Sequence, residues 1–126
     1  MESVVVAVAS NHDDEFRKRI ADDLRFAAAQ DGWVVEDADR RVYLSRNDSA
    51  AQELDSERLA RIRQIVGEPV FYTVDYLDAA LCREVLKYLA DDPHLAIDND
   101  HGLTLPGPQF VWRLRTDTNW DWREEG

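Results

Sequence analysis

Residues 69–115 read PVFYTVDYLDAALCREVLKYLADDPHLAIDNDHGLTLPGPQFVWRLR, and the order of elements in this stretch decides the fold. Val70-Phe71-Tyr72-Thr73-Val74 is rich in β-branched and aromatic residues and predicts a strand. Leu77, Leu81, Val85 and Leu89 then recur at helical spacing and predict a helix with one apolar stripe. Asp75 and Asp78 stand where that helix needs its N-terminal cap. Asp91-Asp92-Pro93 ends it, because proline cannot continue a helix and disfavours helical geometry in the residue before it. His94 to Ile97 reads as a second strand. Asp98-Asn99-Asp100-His101-Gly102 is dense in turn formers. Leu103-Thr104-Leu105 extends a hairpin up to Pro106-Gly107-Pro108, and Phe110 to Arg115 reads as the last strand.

A fainter copy of this plan runs from Val4 to Arg46. Val4 to Val8 is a short β-branched run of the kind found in strands buried on both faces. Ser10 or Asn11 can cap the helix that follows, and Asp13, Asp14 and Glu15 suit its positive end. Phe16, Ile20, Leu24, Ala27 and Ala28 carry the stripe of a helix reaching about Ala29, and Gly32 stops it. Trp33 to Glu36 and Arg41 to Ser45 predict a hairpin across the turn Asp37–Arg40. Between the halves, Ala51 to Val66 reads as a linking helix, with Ser49, Asp55 or Ser56 as its cap. The expected fold is therefore α+β within a single domain, residues 1–126. It has a mainly antiparallel sheet of about six strands, built from two β-α-β-β halves (4–46 and 69–115). The extra helix joins them, helices pack on one sheet face, and a tail covers 116–126. The opposite face is then wet or paired with a second copy, with Tyr43, Tyr72, Trp112 and the C-terminal tryptophans as candidates for that surface.

Composition narrows the partners. The chain has 126 residues, 44% of them hydrophobic and 33% charged, which suits a folded globule rather than a disordered chain. No apolar run approaches the ~20 residues that span a bilayer. The Val4–Ala9 run is too short for a signal-peptide core and no basic region precedes it, so a cytoplasmic location is expected. The formal net charge is -11. Residues 1–67 hold 14 acidic and 10 basic side chains, and residues 68–126 hold 12 and 5, so the second half is the more acidic. Nucleic acid and anionic membranes would both repel such a surface. A basic protein partner would be attracted to it.

Motifs for chemistry are sparse. Cys82 is the single cysteine, so no internal disulfide or thiolate cluster can form. It borders an apolar stripe, where cysteine acts as a small hydrophobe. Ser10, His12 and Asp13 have the residue types of a hydrolytic triad. They are adjacent in sequence, however, and suit a helix cap, whereas a triad converges from separate segments. Pro106-Gly107-Pro108 lacks the Gly-Lys-Ser/Thr signature of a phosphate cradle. No cofactor is expected.

Two groups of residues remain as candidates. Asp98, Asp100 and His101, with His94 nearby, supply carboxylates and imidazoles for a divalent metal. The spacing resembles the start of a calcium loop, but the closing glutamate is missing, with Gln109 near its place. Asp and Asn also populate such turns by bonding their own backbone. Trp120 and Trp122 are spaced to point the same way from an extended tail, ringed by Asp117, Asp121, Glu124 and Glu125. Exposed, they would anchor a protein partner; folded back, they would close the end of the core. Asp91 and Asp92 sit uneasily at the negative end of a helix dipole and suggest a solvent-facing acidic patch.

Two functions follow as expectations. One is a small acidic, non-enzymatic domain that covers a basic partner, such as an immunity-type or regulatory protein, with Trp120, Trp122, Asp117, Asp121, Asp91 and Asp92 in contact. The other is a small enzyme or a metal- or ligand-binding domain with an Asp/His site between the halves.

Overall fold

The computed structural model describes residues 1–124. Within them one antiparallel sheet carries seven strands, one more than expected, in the spatial order β2 (Ala27–Ala29), β3 (Gly32–Asp37), β4 (Arg40–Arg46), β5 (Pro69–Tyr76), β1 (Glu2–Ala9), β6 (Leu95–Asp98) and β7 (Thr104–Pro106). Its centre is the pair β1 (Glu2–Ala9) and β5 (Pro69–Tyr76), the two apolar runs that open the halves. They pair along their full length, from Glu2 opposite Tyr76 to Ala9 opposite Pro69. Each half then sends a hairpin to the other half's strand. β3 (Gly32–Asp37) and β4 (Arg40–Arg46) join through β4 to β5, while β6 (Leu95–Asp98) and β7 (Thr104–Pro106) join through β6 to β1. The halves are thus interlocked. They differ in which hairpin strand lies inside: the last of the first half, the first of the second.

Period-two alternation along the central strands divides the core into two layers. Val4, Val6 and Val8 with Tyr72, Val74 and Tyr76 face one side. There they meet Phe16 and Ile20 of α1 (Asp13–Asp22) and the stripe Leu81, Val85, Leu86 and Leu89 of α4 (Ala79–Leu89). Each such side chain contributes about 1.5–3 kcal/mol on full burial, which makes α4 the main cover of this face. Val5, Ala7, Phe71 and Ala96 face the other way, onto Ala50 and Leu54 around α2 (Ala50–Glu53) and Ile62 of α3 (Ser56–Val66).

The α+β architecture, with α1 and α4 of the two halves on a common face, is the one expected. The linking segment differs from expectation: it forms two helices, α2 and α3, with Asp55 capping α3 by accepting the Arg58 N–H, and they cover part of the opposite face, so the helices do not all pack on one side of the sheet. Tyr72 accordingly lies in the helix-covered core, not on the open face. Tyr43, half-buried on β4, does lie on the open side.

Two other elements also differ from expectation. α1 ends at Asp22, because the Asp23 carboxylate takes the Arg25 N–H and turns the chain; Ala27–Ala29 then pair with β3 as β2. Leu24, assigned to the apolar stripe, is fully exposed. The expected strand Phe110–Arg115 is helix α5 (Gly107–Thr116). Phe110, Val111 and Leu114 are buried at helical spacing while Trp112 between them is 66% exposed. Pro108 in the first turn is pre-set for a helix start. Gly107 permits the start to sit against α4, since a Cβ there would lie 2.2 Å from the Ala90 carbonyl oxygen.

Candidate functional site

The antiparallel pairing of β1 with β6 creates the site that sequence spacing hides. The Ala9 N–H donates to the His94 carbonyl at 2.9 Å, and the Ser10 N–H to the Glu68 carbonyl at 2.8 Å. These bonds bring the turn Ser10–His12 beside the segment leaving α4. On that segment Ala90 closes the helix, Asp92 precedes Pro93, and the chain turns into β6. The Asp92 carboxylate is thereby aimed inward and buried. Its Oδ1 accepts the His94 N–H at 2.8 Å and lies 3.1 Å from His94 Nδ1. Its Oδ2 lies 3.0 Å from His12 Nε2. The two imidazoles stack, with centroids 4.0 Å apart and planes 18° from parallel. His12 Nδ1 in turn lies 3.2 Å from the Glu15 carboxylate.

Arg19 completes the surroundings. It donates to the Tyr88 and Leu89 carbonyls at the end of α4, and its guanidinium is 3.6 Å from Asp92. This cation answers the helix-dipole conflict posed by adjacent acids. Burial works against the charged Asp92 carboxylate, but the His94 N–H and the two imidazoles outweigh it and hold the group below its usual carboxylate range. Asp91 turns away to the surface, 3.8 Å from Arg115. The adjacent pair is therefore not one patch.

Among the described residues, the group of His, Cys, Asp or Glu side chains that could share a metal ion is His12, Asp92 and His94, whose ligand atoms lie within 4.8 Å of one another. The expected set of Asp98, Asp100, His101 and His94 is not brought together. Asp98 is fully buried at the end of β6, accepting from Thr104 Oγ1 at 2.8 Å and from Arg58 of α3 at 3.4 Å. Its Oδ1 also takes the Asp100 N–H, and Asn99 Oδ1 takes the N–H groups of His101 and Leu103. Arg61 donates to the Gly102 carbonyl. The side chains of this turn are spent on its own backbone and on the linking helix; Asp100 and His101 are exposed, with the Asp100 carboxylate 3.9 Å from Arg58.

The tail is also structural. Trp120 and Trp122 are 6% and 2% exposed and pack on Phe110, so they do not form a surface anchor. Their burial follows from how the tail is held. Arg83 of α4 donates to the carbonyls of Leu114, Asp117 and Trp120, and Asn99 donates to that of Trp122. Asp121 is bound by Arg123, whose guanidinium lowers the carboxylate's pKa. Asp117 and Glu124 are exposed, and Glu125 lies outside the described residues.

A third feature lies on the open part of the sheet. Ser3, Val5, Ser45, Thr73 and Asp75 floor a groove of about 330 Å³ beside α2, with Glu53 and Asp100 also lining it. Ser3 donates to Asp75 there. Arg46 also lines the groove, and its guanidinium donates to Asp48 at 2.7 Å.

His12 was the residue that sequence reading passed over as part of a cap. It lies 80 positions from Asp92, and the β1–β6 pairing brings them together. No helix among the described residues is long and apolar enough to cross a membrane. The chain matches no family model, no curated protein and no solved structure to which it was compared.

Proposed function

We propose that this chain is a small acidic, non-enzymatic protein-binding domain that covers a basic partner in the cytoplasm, with an immunity-type or regulatory protein as its concrete form. The observation that carries this reading is the groove on the uncovered part of the sheet. It sets Glu53, Asp75 and Asp100 around a concavity of about 330 Å³, large enough to receive a lysine or arginine side chain. The net charge of -11 adds long-range attraction for a basic surface and repulsion for nucleic acid and anionic lipid. Self-association through the same face would set these carboxylates against their copies, so a basic protein is favoured over a homodimer.

The test is affinity capture from the native cell at low and raised salt, with the wild-type chain and with the triple variant Glu53→Gln, Asp75→Asn, Asp100→Asn. The expected result is one basic protein retained at low salt, released at high salt and lost by the variant. Capture of nothing at any salt, or a partner indifferent to all three substitutions, overturns the reading. A homodimer seen by sedimentation that the triple variant tightens would replace it with self-association.

A further inference from the structure

We infer that His12, Asp92 and His94 form a binding site for a divalent transition metal of the zinc class, built at the junction of the two halves and separate from the groove. The two ring nitrogens of His12 each meet a carboxylate, Nε2 the Asp92 Oδ2 at 3.0 Å and Nδ1 that of Glu15 at 3.2 Å. A neutral imidazole carries one N–H and can donate to only one of them, whereas a metal on Nε2, with the Nδ1–H bonded to Glu15, satisfies both.

The geometry suits the metal. Tetrahedral zinc with bonds of about 2.0–2.1 Å sets its ligand atoms roughly 3.3 Å apart. His12 Nε2 lies 3.0 Å from Asp92 Oδ2 and His94 Nδ1 lies 3.1 Å from Asp92 Oδ1, and one ligand atom from each residue can be chosen within 4.8 Å of the others. His94 is half exposed, which offers a path of entry, and its Nδ1 already faces Asp92. Glu15 at the outer nitrogen of His12 is the carboxylate–histidine arrangement that orients a metal-ligating imidazole. The charges agree, because Asp92 and Glu15 outnumber Arg19. Two imidazoles and one carboxylate select zinc, cobalt or nickel over calcium and magnesium, which prefer all-oxygen sites. Three protein ligands leave a coordination position for water or an exogenous ligand.

The test is titration of the chelator-treated full chain with zinc chloride by calorimetry, with cobalt(II) absorption as a report of coordination. The expected result is one zinc per chain, an unmoved baseline with calcium or magnesium, and a thermal midpoint that rises with zinc concentration. Glu15→Gln should weaken zinc about 10–100-fold. His12→Ala and His94→Ala should weaken it further, and His101→Ala should leave it unchanged. His94→Ala removes an exposed ring, so its fold, checked by circular dichroism, keeps the test decisive. Failure to bind one zinc overturns the inference, as does equal binding by the His12→Ala and His94→Ala variants; the partner capture above is unaffected by either result.

Discussion

Two acidic, histidine-bearing turns flank β6, and they do opposite things. The turn after the strand, Asp98–Gly102, looked the richer in ligands. Its Asp98 and Asn99 are used up by their own turn and its Asp98 and Gly102 by arginines of α3, so it builds architecture. The turn before the strand, Asp92–His94, looked poorer. It faces a histidine from the other half, and its carboxylate is shared between two rings. What separates a ligand set from a turn is therefore not its composition. It is whether the side chains are satisfied locally or left to meet a distant segment.

The sharpest way to break this comparison is Asp98→Ala. It leaves Arg58 facing a buried gap and removes the acceptor of Thr104, so a loss of about 3–5 kcal/mol is expected in urea unfolding. Zinc stoichiometry of the folded fraction should be unchanged. A small loss would mean that the turn is not the structural one.

The next effect concerns the support behind His12. Its neighbour Asp13 is buried and accepts from the Tyr72 hydroxyl at 2.6 Å. Burial first, and the Asp13 carboxylate second, push Tyr72 up to about 12 from 10.0. Tyr76 and Cys82 are pushed up in the same direction, chiefly by burial. A folded pKa above the unfolded one means that the folded state holds its proton longer. The stabilisation is complete below the unfolded value and is lost as pH rises toward the folded value. Stability should fall between about pH 10 and pH 12, by roughly 2–3 kcal/mol from Tyr72 alone. Circular dichroism against pH reads it, and Tyr72→Phe should remove the Tyr72 share and make that limb shallower.

Gly107→Ala sharpens the comparison from the other side. The added methyl meets the Ala90 carbonyl at 2.2 Å and the Asp92 carbonyl at 3.0 Å, both backbone. A cost of about 1–3 kcal/mol is expected. The displaced segment carries Asp92, so zinc affinity should fall while the Asp98 turn stays intact, as amide exchange at Asp100 and His101 would report. The smallest effect is that of His101→Ala, whose exposed ring should change stability by no more than about 0.5 kcal/mol.

Much of the architecture was legible because it rests on local patterning. The runs Val4–Val8 and Val70–Val74, the stripe of α4, and the hairpin across Asp37–Arg40 each announce themselves within a few residues. Phe110–Arg115 was misread because a short apolar run with aromatics fits either a buried strand or a buried helix. Packing on α4, through Gly107 against Ala90, decided for the helix. The tryptophan pair was ambiguous for a related reason. Whether Trp120 and Trp122 face water depends on Arg83 and Asn99, 37 and 23 residues away, holding the tail carbonyls.

By itself, then, the sequence determined the α+β class, the order of the two halves, the impossibility of a disulfide within these 126 residues and the strong negative charge. These follow from periodicity, turn chemistry and composition, which act over a few residues or over the whole chain. Tertiary structure alone decided the strand order, the side taken by the linking helix, the burial of the tryptophans and the meeting of His12 with Asp92 and His94. Each of these depends on contacts between residues distant in sequence, and the pairing of β1 with both β5 and β6 is what brings those residues together.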